Sequence, residues 1–246
     1  MGTVVDFFRG IGHGFGGLGI VIGRRRMWPL VAWPFVIALG ALVGFVVALV
    51  VTRDRWMALL PGAGVVHIVE SVAAWLLVPI VCWFLFLPLA AAIAGPWNDS
   101  ISEAVEEMTT GRKAPPRTGG SFLGDLGRTI SQELRKFIRY LVLAVGIAIA
   151  VVVIPVVGPV IGIVGGGYIA ARFAAFDSLD AALSRWGWSY ERKLAFVRKK
   201  RALCLGLGTV IAGLMLVPFV NALAMPVGAA SGTLLALAAR ETEAGA

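Results

Sequence analysis

The chain has 246 residues, of which 59% are hydrophobic and only 15% are charged. A soluble globular domain carries about 25% charged residues, so this composition excludes an ordinary soluble domain and indicates an integral membrane protein. The formal net charge of +8 comes from 22 Lys and Arg residues that cluster beside apolar segments. Such clusters set membrane orientation and contact lipid headgroups, and we expect no nucleic acid partner. Apolar segments recur throughout, which predicts one membrane domain over residues 1–246.

Residues 1–22 predict a helix that lies in the membrane interface and does not cross it. Apolar residues alternate irregularly there with glycines, of which eight occur through Gly23. The segment Gly12–Gly17 matches the glycine spacing of dinucleotide-binding loops. Since no strand precedes it, the match lacks the structural context that a nucleotide site requires.

Two long apolar segments, residues 28–51 and 65–108, are predicted to cross the membrane. Pro29 suits the first turn of a helix, and about 24 residues at roughly 1.5 Å each are enough to span the bilayer. The second segment stays apolar up to Trp97, for more than the roughly 20 residues that a crossing helix needs. It then continues into an acidic helix that faces water.

Two shorter apolar segments, residues 140–172 and 202–239, are each interrupted by proline and predict helical hairpins that enter the membrane and turn back. The first reaches Pro155 after about 15 residues, or roughly 22 Å of helix, which is short of the roughly 30 Å hydrocarbon core. Irregular backbone at that depth is tolerated only beside protein or a water-filled cavity, so the turns should be buried or line a pathway. The predicted fold is therefore an all-α integral membrane domain with two long crossing helices, two Pro-broken re-entrant helical hairpins and an N-terminal interfacial helix.

The basic residues predict the orientation of the chain. With two crossing helices and two hairpins, 20 of the 22 Lys and Arg residues fall on one side, which the positive-inside rule identifies as cytoplasmic. Both termini are then expected in the cytoplasm. Six full crossings would keep the same charge bias, so only helix length separates the two topologies.

Glycines spaced by four follow the first proline turn. Gly158, Gly162 and Gly166 would lie along one helix face, on which another helix can pack closely. We prefer this packing interpretation to a phosphate-binding loop.

The sequence predicts neither an enzyme nor a cofactor or metal site. His13 and His67 are too few and too far apart in sequence to form a metal site. The Ser, Cys and His residues show no arrangement that supports nucleophilic catalysis. Cys82 and Cys204 lie in apolar runs, where a free cysteine behaves as a small hydrophobe, and we expect no disulfide.

Four motifs in register resemble those of one membrane protein family. The segment Gly95-Pro96-Trp97-Asn98, followed by Glu103 and Glu106, resembles the Gly-Pro-Phe-Asn and Glu-x-Val-Glu signature of the CysZ sulfate permease and etoposide-induced membrane protein family. Three further segments resemble the family's Gly-Leu-Arg segment, its Pro-x-x-Gly turn and its C-terminal motif. These are Gly23-Arg24-Arg25-Arg26, Ile154-Pro155-Val156-Val157-Gly158, and Pro218-Phe219-Val220-Asn221 with Met225-Pro226 and Gly232-Thr233.

The resemblance implies a sulfate permease or channel that takes up sulfate across the bacterial inner membrane for cysteine biosynthesis. It also implies two crossing helices, two partly penetrating hairpins and a homo-oligomer, with sulfate or a related oxyanion and the lipid bilayer as partners. A non-transporting membrane scaffold or bilayer-organising protein, suggested by the eukaryotic branch of the family, is the alternative. Trp97, Arg24 and Ser231 depart from the family pattern and bear more on specificity than on fold.

Sulfate is a doubly charged anion, and guanidinium groups together with backbone N–H groups at a helix start can replace its water shell. The candidate anion-binding residues are Gly23, Arg24, Arg25 and Arg26, but three arginines beside a crossing helix are also an ordinary cytoplasmic anchor. The candidate pathway or network residues are Asn98, Glu103, Glu106, Arg172 and Asn221. Because carboxylates repel sulfate, the glutamates form either a solvated helix face or a network that holds arginines such as Arg172 and those of residues 128–139.

Overall fold

A computed structural model describes residues 2–58, 64, 68–69, 71–73, 75–76, 97–112, 122–154, 157–217 and 220–244. For residues 122–137 it describes the backbone but not the side chains. All regular secondary structure in the described residues is helical, which confirms the predicted all-α fold class. Much of the predicted crossing segment 65–108, and the turn prolines Pro155 and Pro218, lie outside the described residues.

The helices follow the predicted order along the chain. A 3-10 turn joins the first two helices, and the second helix occupies the residues predicted for the first crossing. We label the described helices in chain order as α1 (Gly2–Gly23), α2 (Trp28–Val51), α3 (Arg53–Met57), α4 (residues 97–110), α5 (Phe122–Val153), α6 (Gly158–Arg185), α7 (Tyr190–Lys199), α8 (Arg201–Leu216) and α9 (Asn221–Ala244). Residues 68–69, 71–73 and 75–76 are also helical and carry no label.

The chain divides into two compact units, one of Met1–Trp28 with Asn98–Ala246 and the other of Pro29–Trp97. In the second unit, α2 exposes apolar side chains along its length, among them Trp33, Val43 and Phe45. A helix of 24 residues that is apolar all round is suited to surrounding lipid.

In each predicted hairpin, the apolar segment before the turn is shorter than the helix after it. The first begins with the apolar second half of α5, Ile138–Val153, and the second begins with α8, Arg201–Leu216. The latter has 16 residues. At roughly 1.5 Å per residue such a helix reaches about 24 Å and falls short of the hydrocarbon core. Each hairpin continues into a helix that is long and apolar enough to cross a membrane, Gly158–Arg185 or Leu223–Thr242. The re-entrant turns themselves stay a prediction.

Small residues build the core of the first unit. α6 packs against α5, α8 and α9. The buried positions of α6 and α9 are rich in alanine and include the polar residues Ser178, Ser231 and Thr233. Side chains of this size let helix backbones approach closely, which is how helices associate where surrounding lipid removes the hydrophobic drive.

Glycines hold α1 against α8. Gly10 lies against the carbonyl oxygen of Leu203, and Gly206 lies against the carbonyl oxygen of Phe7. A Cβ at either glycine would overlap the facing backbone, so the two helices cross at the closest approach that glycine permits. The predicted interfacial helix is therefore also docked on the helical bundle.

The glycine-rich segment Gly12–Gly17 serves the same packing. Gly17 leaves the space that Ser231 of α9 occupies, and the Ser231 hydroxyl donates to the Gly14 carbonyl at 3.0 Å. The glycine spacing that matches a dinucleotide loop thus belongs to a helix–helix contact. The departure of Ser231 from the family pattern supplies the hydrogen bond.

The glycine face predicted on α6 is confirmed at two of its three positions. Gly158 and Gly162 face Val151 of α5. Gly166 takes no part in this contact, because a Cβ there would meet nothing within 4 Å among the described residues, and Gly165 lies against α5 in its place. Seven helical residues return almost to the same face, whereas eight overshoot it by about 80°.

Candidate anion-binding segment and buried charge network

The candidate anion-binding segment connects α1 to α2 in the sequence. Gly23 ends α1, and Arg24 is extended with a φ of −109° and a ψ of 110°. The 3-10 turn Arg25–Met27 follows. Met27 is 0% exposed and anchors the turn, while the three arginines before it are exposed. The connection therefore presents three guanidinium groups to solvent at the start of an apolar helix.

Arg26 is the arginine of this segment that meets a carboxylate. Its Nη2 donates to Glu107 Oε2 at 3.1 Å, with the two side chains 65% and 22% exposed. Such an exposed pair is worth about 0–1 kcal/mol. A cavity of about 370 Å³ is lined by both residues and by Arg112. Among the described residues Arg24 and Arg25 have no carboxylate partner, so an anion from solvent could meet them directly.

A buried ion pair joins α4 to the end of α6. Arg185 donates from Nη2 to Glu106 Oε2, and the two side chains are only 3% and 9% exposed. The same guanidinium donates to Ser102 Oγ from Nε at 3.3 Å and from Nη2 at 3.2 Å. Trp186 donates from Nε1 to Glu106 Oε2 at 3.3 Å. These contacts compensate charges that would be costly to bury alone.

Hydroxyl groups extend this pair to α9. Ser102 and Thr233 are both 0% exposed, and their hydroxyl oxygens hydrogen-bond at 2.8 Å. Thr233 also donates to the Ala229 carbonyl at 2.7 Å. The Nη1 of Arg185 is buried without a hydrogen-bond partner in the described part of the chain. One polar network, defined by Glu106, Arg185, Ser102 and Thr233, therefore ties α4, α6 and α9 together.

A second buried cation fixes α7 to α6. The Lys193 side chain is 2% exposed, and its Nζ contacts Asp180 Oδ1 at 2.8 Å and Ser184 Oγ at 2.6 Å. Lysine is almost never fully buried unless it is paired, so these contacts explain how the position is tolerated. They hold the basic helix α7 in one place relative to α6.

Three predicted network residues lie at other positions of the first unit. Asn98 and Glu103 are half-buried on α4, and Asn221 is exposed at the start of α9. Their contacts do not include the Glu106 network in the described residues.

Arg172 lies with a tyrosine and a second arginine. It donates to the Tyr168 hydroxyl at 3.2 Å, and Arg201 donates to the same hydroxyl at 2.8 Å. The arginine that pairs with Glu106 is Arg185, which the sequence did not single out for this role. The sequence left two interpretations open for Glu106, a solvated helix face or a network that holds arginines. Its burial and its contact with Arg185 favour the network.

Sequence reasoning missed Arg185, Ser102 and Thr233 as members of the network. One signal was present in the sequence, because Ser102 and Glu106 are four residues apart and share a face of α4. The choice of Arg185 as their partner depends on how α6 packs, which local pattern does not encode.

Comparison with known proteins gives the family. A family model described as "Sulfate transporter CysZ/Etoposide-induced protein 2.4" matches residues 15–226. The chain belongs to this family. The CysZ family consists of transporters and not of enzymes. Membership of this family is consistent with the long apolar helices of the chain, which are typical of an integral membrane protein. The matched region includes the arginine segment, α4 and Arg185.

Curated relatives extend this comparison. The protein named sulfate transporter CysZ of Pseudomonas fluorescens is 30% identical over 162 residues, which is 65% of this chain and 64% of that relative. The protein of the same name from Pseudomonas aeruginosa is 31% identical over 162 residues, with the same two shares. The match therefore spans slightly less than two thirds of these relatives' own length.

Proposed function

We propose that the protein is a sulfate permease or channel that takes up sulfate across the bacterial inner membrane for cysteine biosynthesis. The family match over residues 15–226, with relatives named sulfate transporter, carries the proposal. We place both termini and the basic helix α7 on the cytoplasmic side, because that side then holds most Lys and Arg residues.

The arginine segment is the proposed site of sulfate capture. Arg24 and Arg25 offer planar, permanently charged donors whose geometry matches two oxygens of an oxyanion. Their exposure keeps them hydrated, so that binding stays weak enough for the ion to leave again, as conduction requires. Glu107 holds Arg26 at 3.1 Å and competes with the anion for it, which limits the positive charge of the site.

We infer that Glu106 organises the helices and does not contact the anion. Its side chain is 9% exposed and already accepts from Arg185 and Trp186. Asn98, Glu103, Arg172 and Asn221 are the proposed polar residues along the pathway, since each is half-buried or exposed.

Sulfate flux into proteoliposomes tests the proposal. The variant R24Q/R25Q/R26Q removes the charges of the segment, and we expect it to lose at least about tenfold in flux, since each charged hydrogen bond contributes roughly 1.5–3 kcal/mol. R53Q/R55Q is the control, because it removes two exposed arginines on α3. Undiminished flux in the first variant would remove the arginine segment from the mechanism.

The alternative that we propose is a non-transporting membrane scaffold or bilayer-organising protein. Absence of flux for any anion from well-folded wild-type protein would favour it. In either function we propose a homo-oligomer within the lipid bilayer, and cross-linking in native membranes measures that assembly.

A further inference from the structure

A second cavity, of about 310 Å³, lies where α6 ends and α7 begins. Two arginines and three aromatic residues line it, namely Arg192, Arg240, Trp186, Trp188 and Phe196. It shares no lining residue with the cavity beside Arg26, and none of the roles proposed above uses it. Its volume is that of a pocket for a small ligand.

The turn that carries the two tryptophans is fixed by its backbone. Gly187 adopts a left-handed φ of 72°, and its N–H donates to the Ser184 carbonyl at 2.9 Å. The Trp188 N–H donates to the Leu183 carbonyl at 3.0 Å. These two bonds form a Schellman motif, which satisfies the last carbonyls of α6 within the turn. Those carbonyls are therefore not left as free acceptors that would oppose an anion.

The next residues place the first arginine. Ser189 caps α7 by accepting from the Arg192 backbone N–H at 3.3 Å. Arg192 therefore lies on the first turn of α7, and Lys193 beside it anchors that turn through Asp180. The position of Arg192 is thus set by its backbone and by its neighbour, while its own guanidinium remains exposed.

Each arginine lies over an indole ring. The Arg192 Cζ is 4.1 Å from the Trp188 ring centroid, and the Arg240 Cζ is 5.2 Å from the Trp186 ring centroid. Neither guanidinium has a carboxylate partner within the described ranges. Stacking on an aromatic face orients the guanidinium plane and leaves the N–H edges available to a ligand.

We propose that this cavity binds an oxyanion, a phosphate or sulfate group held between the guanidinium groups of Arg192 and Arg240. Two planar donor forks are the side chains best suited to such a group. The last turns of α6 and α9 line the cavity, and both helices are long enough to cross a membrane. The cavity then lies at the depth of lipid headgroups, where an anionic lipid phosphate and a free oxyanion are both within reach.

The cavity is connected to the buried network through Trp186. Trp186, whose ring carries Arg240, donates from Nε1 to Glu106 at 3.3 Å. An oxyanion that draws Arg240 toward Arg192 therefore acts on a side chain that contacts the Glu106 and Arg185 pair.

Calorimetric titration of the full chain in an uncharged detergent tests the site. The ligands are sodium sulfate, sodium phosphate, short-chain phosphatidylglycerol and, as the zwitterionic comparison, phosphatidylcholine with the same chains. All proteins carry R24Q/R25Q/R26Q, so that the proposed capture segment does not contribute and the outcome is independent of flux. R192Q/R240Q removes the two cavity charges, and R9Q/R198Q is the matched control with two other exposed arginines.

We expect saturable binding that R192Q/R240Q weakens at least about tenfold and R9Q/R198Q changes less than about twofold. Binding of phosphatidylglycerol alone identifies a lipid headgroup as the source, and binding of sulfate or phosphate identifies a free oxyanion. Equal affinity in R192Q/R240Q and its parent, or no binding of any of the three anionic ligands by folded protein, overturns the proposal. If R192Q/R240Q does not fold, the single variant R192Q, at an exposed position, replaces it with at least a threefold weakening expected.

Discussion

Arg185 and Glu106, 79 positions apart in the sequence, form a buried ion pair at the junction of α4 and α6. Each charge is tolerated because the other is present, and Ser102 and Trp186 supply the further hydrogen bonds. The pair therefore links residues of one family motif to a helix end that no motif marks.

Removal of one member of this pair should be costly. R185M leaves the Glu106 charge buried without compensation, and we expect it to lower the free energy of unfolding by about 3–5 kcal/mol. E106L/R185M should be less destabilised, because apolar side chains can fill the space of a buried pair. Denaturation in mixed detergent micelles, followed by circular dichroism, measures both. A double variant at least as unstable as R185M would contradict this role of the pair.

The crossing of α1 and α8 predicts a sharp difference between glycines. G206A places a methyl group against the Phe7 carbonyl, and we expect a loss of about 1–3 kcal/mol or more in unfolding free energy. G12A is the control, since a Cβ there meets nothing within 4 Å, and its better helix propensity should raise stability by up to about 1 kcal/mol. Thermal unfolding in the same detergent measures the melting temperatures of both variants. Equal melting temperatures would contradict the close crossing.

Competition between Glu107 and sulfate for Arg26 predicts the effect of removing the carboxylate. E107Q breaks an ion pair of 3.1 Å whose arginine is 65% exposed, so stability should change by less than about 1 kcal/mol. Sulfate affinity should rise by about two- to fivefold, because a competing charge is lost and such a pair is weak. Sulfate titration of E107Q beside D6N, which breaks the exposed pair of Asp6 with Arg9 on α1, measures the gain. Unchanged affinity in E107Q would mean that Arg26 takes no part in binding.

Thiol labelling separates re-entrant hairpins from full crossings. Gly158 is unsuitable for a cysteine, because its Cβ would overlap the Val151 carbonyl, whereas Val157 and Asn221 are exposed. V157C and N221C are introduced into a background that lacks Cys82 and Cys204. With re-entrant hairpins a membrane-impermeant reagent outside the cell should label neither residue, and rapid external labelling of both would establish six crossings.

The sequence predicted best what depends on composition alone. The bounds of α2 follow from 24 residues without a charged side chain, so they could be predicted without knowledge of contacts to other helices. The short apolar first arms of the hairpins could be predicted for the same reason, although the first arm is the end of the longer helix α5.

Contacts between distant segments could not be predicted in this way. The glycines of α1 indicated a helix that does not cross the membrane, but nothing local showed that Gly10 and Gly206 would lie at the crossing of two helices. Arg185 is the last residue of α6 and the first of the basic, aromatic segment in the sequence, and its burial depends on the position of α4. The contact of Gly165 with α5 could not be predicted either, because it depends on the rotation of α6 about its own axis.

The hydrogen bond from Ser231 to Gly14 joins residues 217 positions apart, so this contact can form only after α9 has been synthesised. α1 leaves the ribosome before α8 and α9 exist, so its glycine face has no partner while most of the chain is being made. Until α8 and α9 are made, we expect α1 to lie in the membrane interface predicted for it, where its apolar residues contact the boundary of headgroups and acyl chains. Assembly of the bundle is therefore completed only after the last helices have been inserted.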